Sequence, residues 1–233
     1  ISHVADHSDH VIAAGRTDTG VHASEQIIHF DTTADRTERA WVYGCNTVLP
    51  KSIRVLWAKP VDNTFSARFS AEYRHYRYFT YNSHLRPALL SKQVSWWCRP
   101  LDVESMHVAA QYWLGEHDFS SFRASECQSK SPVRKIKMIQ VQRVGELVIF
   151  DIIANAFLHH MVRNMMGVLL AIGSKDKEVE WAKEILLARE RRQAGITAPP
   201  HGLYLIKVGY PSKYEIPDTA LGPWFFNCKT SNT

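Results

Sequence analysis

The 233-residue chain is 45% hydrophobic and 22% charged, and it carries seven Trp, nine Tyr and ten Phe. So many large apolar side chains exclude a disordered protein, and the length suits one large domain or two fused halves. Lys and Arg total 28 against 23 acidic residues, a formal charge of +5 that permits a nucleic-acid partner without demanding one.

The chain opens on Ile1 in what reads as the tail of a helix over residues 1–5, so a segment upstream of it is expected. No basic-then-apolar leader is present, and no secretory signal is expected. Alternating β-branched residues predict a strand over residues 26–31, and residues 37–49 predict a helix stopped by Pro50. Residues 53–59 predict a second strand, and residues 73–81 a strongly aromatic third. The period of two puts Arg74, Tyr76 and Tyr78 on one face of that third strand and Tyr73, His75, Arg77 and Phe79 on the other. Asp102 is placed to cap a helix in which Val103, Met106, Ala110, Trp113 and Leu114 recur at helical spacing, with Gly115 as its stop. Residues 136–142 and 147–153 flank Gly145 as a hairpin. Residues 155–172 predict a long helix, apolar nearly all round and therefore buried. An amphipathic helix over 179–193, ending in a run of arginines, and a last strand over 203–208 complete the order. Strands that mostly neighbour hairpins, mixed with a few helices, predict an α+β fold with a largely antiparallel sheet.

The most apolar stretch, residues 165–172, is far too short to span a bilayer, so no membrane partner is expected. Cys45, Cys98, Cys127 and Cys228 are far apart and form no CxxC pair, which predicts reduced thiols in a cytoplasmic protein and no structural metal.

The stretch that carries most chemistry is Ala14-Gly-Arg-Thr-Asp-Thr-Gly-Val-His22. Two glycines five apart bracket Arg16 and Asp18, so the backbone can turn tightly and hold the charged pair at a loop tip. It lacks the Gly-Lys-Ser/Thr ending of a phosphate-binding loop and the strand-to-helix setting of a dinucleotide-binding one. Taken alone, it reads as an Asp capping its own turn.

Gly15-Arg-Thr-Asp-x-Gly-Val-His22 resembles the catalytic motif of the tRNA pseudouridine synthase A family. Later blocks resemble that family in the right order: Phe65-Ser-Ala-Arg-Phe-Ser70, Tyr76-Arg-Tyr78, Leu85-Arg-Pro87, Gly115-Glu-His-Asp-Phe-x-Ser-Phe122, Ala154-Asn-Ala-Phe-Leu-His-His-Met-Val-Arg-Asn164 and Gly202-Leu-Tyr204. Members normally begin with a strand upstream of the position of Ile1. The resemblance implies a pseudouridine synthase fold, two fused α/β halves around a mixed sheet with a central catalytic cleft. It places an N-terminal half with the Asp loop over residues 1–68 and a C-terminal half with the Tyr strand and Arg helix over 69–233. It implies isomerisation of uridine to pseudouridine at positions 38, 39 and 40 of the tRNA anticodon stem-loop, by a homodimer that needs no metal and no organic cofactor.

By the same resemblance, Asp18 matches the catalytic aspartate, Arg163 the arginine paired with it, Tyr76 the active-site tyrosine, and Leu203 the apolar residue against the base. Arg16 is then expected to help extrude the nucleotide or to bind its phosphate. Independently of any family, an Arg amid apolar helix residues asks for an acidic partner, because an unpaired buried charge is costly. Tyr73, Tyr78 and Tyr81 read as core aromatics, Phe119 and Phe122 as core, and His22 and His29 as structural or phosphate-facing. His159 and His160 evoke a metal, but no HExxH is present and neighbours on a helix diverge, so packing or RNA-facing roles are expected. Arg16, Arg74, Arg77 and residues 189–192 are expected to form a basic RNA-binding face. Two other readings stand beside the isomerase: a catalytically silent tRNA-binding or chaperone module of the same fold, and a glycosidase. The latter needs a second carboxylate opposite the first, for which Asp31, Glu72 and Asp151 qualify by position only.

Overall fold

The computed structural model describes residues 1–8, 10–219 and 222–223, and Cys228 lies outside them. Contacts group the chain into two units, both discontinuous in sequence. The first takes Ile1–Arg16, Ile27–Ala71 and Tyr210–Pro217; the second takes Thr17–Gln26, Glu72–Gly209 and Asp218–Thr233. The segment bearing Asp18 thus groups with the C-terminal residues, because it docks on a late strand described below.

In the first unit a short helix α1 (Ser2–Ala5) packs on α2 (Glu38–Val48) around Ala5, Trp41 and Cys45. The α2 helix starts where expected, because the Thr37 side chain accepts the Ala40 N–H at 3.2 Å and Leu49 then turns extended before Pro50. The strand predicted over 26–31 contracts to β3 (Ile28–His29), paired antiparallel with β1 (Ile12–Ala13). Residues 53–59 join no ladder. The Asn46 side-chain amide takes both backbone groups of Val55 at 2.8 Å, doing for one residue what a partner strand does for a row.

The second unit is built on a sheet of seven strands, accompanied among the described residues by three α-helices and three 3-10 turns. Beginning at β2 (His22–Ala23), the order runs through β9 (Leu203–Gly209), β4 (Tyr73–Asn82), β8 (Leu147–Ala154) and β7 (Val133–Val144) to β6 (Gly115–Asp118). A short strand, β5 (Ser95–Trp97), runs parallel to the end of β4 that lies beyond β9. All pairings are antiparallel except β2–β9 and β4–β5, so the fold is α+β with the mostly antiparallel sheet that the hairpins foretold. The β7–β8 hairpin turns at Gly145, whose φ of 57° suits glycine. Alternation sorts β4 as predicted. Tyr76 and Tyr78 face the main core, whereas Phe79 joins a smaller cluster with Val94, Ile149, Tyr204 and Ile206 on the other face.

Three α-helices cover the main-core face: α3 (Val103–Gln111), capped by Asp102 through the Ser105 N–H at 3.2 Å, α4 (Met161–Gly173) and α5 (Trp181–Ala188). Gly115 does not stop α3, which has already ended at Gln111; with φ of 95° it opens β6 instead. The helix predicted over 155–172 begins only at Met161, since His160 takes a left-handed conformation with φ of 61°. The helix predicted over 179–193 also breaks early, at Arg189, and Arg191–Gln193 form a separate 3-10 turn. Arg191 folds inward there, giving hydrogen bonds to Gly195 O, Asn164 Oδ1 and Thr197 Oγ1. It braces the fold through these three acceptors. No helix among the described residues is long and apolar enough to cross a membrane, and Cys45, Cys98 and Cys127 are free thiols.

Close packing fixes α4. A Cβ on Gly167 would stand 1.9 Å from the Ile196 carbonyl oxygen, so only glycine lets the 196–198 segment lie against the helix. Gly167→Ala is expected to cost about 1–3 kcal/mol through overpacking. That is a fall of roughly 2–4 °C in melting temperature per kcal/mol for a chain of this size, read by calorimetry.

Candidate active site

Val21 N–H donates to the Asp18 carbonyl at 3.0 Å, closing a turn over residues 18–21. Gly20 has φ of 83°, and a Cβ there would come within 3.0 Å of the Pro200 ring and 3.1 Å of His201. The turn needs glycine twice over, for backbone conformation and for space. The chain then pairs with β9, His22 opposite Tyr204 and Ala23 opposite Leu205, and the His22 ring stacks on Tyr204 at 4.6 Å. His22 is therefore structural, as is His29, whose Nδ1 accepts the Ala67 N–H at 3.1 Å.

This anchoring delivers the Asp18 carboxylate to the first turn of α4. Arg163 Nη1 donates to Asp18 Oδ2 at 2.9 Å, and its Nε donates to the Ala198 carbonyl, also at 2.9 Å. The guanidinium is thus fixed at both ends, by the carboxylate and by the segment that Gly167 admits. Arg163 is 13% exposed and Asp18 24%, so the pair is shielded while the carboxylate stays reachable.

Two imidazoles complete the cluster. Nε2 of His159 lies 3.2 Å from Asp18 Oδ1, and Nε2 of His160 lies 3.2 Å from Oδ2. Their rings lean together at 4.0 Å between centroids. The expectation that these neighbours diverge fails because they precede the helix, and the left-handed His160 swings both rings to the same side. His is one of the residue types enriched in that conformation, a weak local signal that helical periodicity conceals. The loop is held from outside, with Ala124 N–H donating to the His159 carbonyl at 3.1 Å and His159 N–H to Cys127 Sγ at 3.4 Å. Burial, assisted by the Arg163 charge, outweighs Asp18 and pulls the His160 pKa below the ordinary imidazole value.

Tyr76 lies on the same sheet face, its ring edge-on to Phe157 at 5.0 Å and 83°. Burial pushes its phenol up to about 12, with Arg74 opposing and Asp18 adding to the rise. The hydroxyl is therefore a proton donor at neutral pH and not a phenolate base. Arg74 on that face donates to the Asn155 carbonyl at 2.9 Å. Leu203, opposite Tyr78 and diagonal to Tyr76 across the strand pair, is 6% exposed and belongs to the main core. Arg16 is exposed and stands two residues before Asp18 in the chain.

Two residues assigned other duties by position leave the site. Arg77 Nε donates to Asp151 Oδ2 at 2.8 Å, and His75 Nε2 meets Oδ1 of the same carboxylate at 2.5 Å. This buried group sits on the face of β4 opposite Tyr76, so Arg77 is spoken for. Asp151 is likewise no second catalytic acid facing Asp18.

A family model described as tRNA pseudouridine synthase matches residues 109–211, which include Arg163 and Leu203. Proteins named tRNA pseudouridine synthase A are similar over most of the chain. The one from Coxiella burnetii (strain Dugway 5J108-111) is 54% identical over 225 residues, 97% of this chain and 86% of the relative. The Pseudomonas aeruginosa relative is 52% identical over 227 residues, covering 97% and 80%. The Legionella pneumophila (strain Corby) relative is 52% identical over 225 residues, covering 97% and 86%.

Proposed function

The chain belongs to the tRNA pseudouridine synthase A family, and from that membership we propose that it converts uridine to pseudouridine at positions 38, 39 and 40 of the tRNA anticodon stem-loop. Uridine-to-pseudouridine isomerisation in tRNA is its reaction. The observation that carries the reading is the Asp18 carboxylate held by Arg163 at 2.9 Å, at the meeting of the two most characteristic motifs.

The isomerisation breaks the C1′–N1 bond, turns the uracil over and joins C5 to C1′, and the C5 proton leaves to solvent while N1 gains one. Atoms balance without a co-reactant. Asp18 acts as nucleophile at the sugar or base, or as base at C2′. In each case Oδ1 is the oxygen we assign to the substrate, because it meets only His159 whereas Oδ2 meets both Arg163 and His160. Extruding the nucleotide costs a few kcal/mol, part of which stacking on Tyr76 returns, with Leu203 as the apolar floor beneath. Arg16 meets the phosphate of the flipped nucleotide. A homodimer in the cytoplasm, with tRNA across both subunits, is the assembly we propose. Carbodiimide mapping of tRNA treated with the chain tests the positions: stops at 38, 39 and 40 support the reading, and stops only elsewhere in the tRNA refute it.

Tyr76 makes a separate expectation. With its phenol near 12, kcat should show no alkaline limb from this residue between about pH 7 and about 9.5. Tyr76→Phe keeps the ring and removes the donor, so kcat should fall by about 10²-fold or more with the profile's shape unchanged. The folded pKa lies above the ordinary 10.0, so the contribution to stability is complete below about pH 10 and is lost as pH rises toward 12. Alkaline melting of Tyr76→Phe should be correspondingly less steep than that of the unaltered chain.

A further inference from the structure

We propose that Asp18, His159 and His160 form a binding site for a divalent transition ion, zinc above all, whose occupancy switches the isomerase off. The switching-off rests on the function proposed above; the binding does not.

The three residues each offer one ligand atom, and these atoms all lie within 4.8 Å of one another. Both imidazole-to-carboxylate separations are 3.2 Å. Tetrahedral zinc, with bonds of about 2.0–2.1 Å to imidazole and carboxylate, spaces its ligands about 3.3 Å apart. The His159–Oδ1 spacing therefore already matches, whereas His160 approaches the other oxygen, Oδ2, so its ring must shift toward Oδ1 and close on the first imidazole. Two imidazoles and one carboxylate are a zinc-type donor set and leave a fourth position open to water. Magnesium, which demands oxygen ligands and keeps its waters, is a poor match, so millimolar magnesium in a tRNA reaction leaves the site alone.

The supports of the site are in place before any ion arrives. Arg163 holds Oδ2 and leaves Oδ1 toward His159, orienting the carboxylate as an outer-shell partner does in metal sites. His159 is pinned through its backbone to Ala124 and Cys127, and the left-handed His160 fixes the second ring beside the first. Little backbone freedom remains to be lost on binding. An ion there takes the lone pair of Asp18 that the substrate requires, so binding and turnover exclude each other.

The test uses the full chain and zinc chloride alone, in buffer without added thiol. Competition against a chromophoric chelator should give one zinc per chain at this site. His159→Gln and His160→Gln should each weaken it by more than the about 10–100-fold that loss of an outer-shell partner costs. X-ray absorption of the zinc-loaded, unaltered chain should show a first shell of nitrogen and oxygen with imidazole scattering, a readout that needs no variant to fold. Stoichiometric zinc should abolish tritium release from 5-tritiated uridine in tRNA, and a chelator should restore it. Sulfur in the first shell, no zinc bound, or an affinity indifferent to both substitutions overturns the site. Zinc bound at the triad with turnover unaffected overturns the switch. A chain that binds zinc at the triad but releases no tritium under any condition leaves the site standing and refutes the proposed function instead.

Discussion

Asp18→Asn should abolish pseudouridine formation while tRNA affinity stays within a few-fold. The substitution preserves size and removes the nucleophilic or basic oxygen, so turnover should fall by about 10⁴-fold or more. That corresponds to about 5–6 kcal/mol of barrier. Affinity is expected to be insensitive because phosphate contacts dominate RNA binding and this carboxylate makes none. Losing one negative charge near a polyanion should, if anything, tighten binding slightly. Single-turnover kinetics and filter binding on the same preparations check both halves. A mutant that turned over near the unaltered rate would remove Asp18 from the chemistry.

Arg163→Ala should damage folding as well as turnover. Breaking a fully buried ion pair costs about 3–5 kcal/mol, whereas an exposed pair is worth about 0–1 kcal/mol. Asp18 is 24% exposed, so water can partly rescue the orphaned carboxylate and the cost should fall between, at about 1–3 kcal/mol. The Ala198 carbonyl loses its donor too, which loosens the segment packed on Gly167. Arg163→Lys separates the two effects. It keeps a charge beside Asp18 but cannot hold Asp18 and Ala198 with one planar fork, so it should retain most stability and less of the activity. Unchanged melting and unchanged turnover in Arg163→Ala would show that the pair matters to neither.

Much of the site was legible in the sequence because its parts lie in short motifs with fixed local geometry. Asp18 between two glycines and Arg163 on an apolar helix each announced a need that the other meets. What periodicity misread was the approach to α4. Residues 155–160 are apolar enough to extend a helix on paper, yet a single left-handed residue, His160, ends it and turns two histidines onto the carboxylate. Arg191 misled in a similar way. A run of arginines resembles a solvated or RNA-facing face, and only the tertiary partners Asn164 and Thr197 show it turned inward. Arg77 had an acid directly opposite, on β8, which strand register reveals and sequence order does not. The grouping of Thr17–Gln26 with the later residues follows from the parallel pairing of β2 with β9, a contact across about 180 residues that no local pattern encodes.

The central claim, an isomerisation of uridine in tRNA driven by Asp18, is tested most directly by tritium release. The full chain is incubated with tRNA labelled at C5 of uridine, beside the Asp18→Asn protein. Joining C5 to the ribose expels the label from that carbon. The account predicts release that rises with time and matches pseudouridine recovered from digested tRNA, with none from Asp18→Asn. Tritium retained at C5 by the unaltered chain, or free uracil liberated in place of pseudouridine, would contradict it.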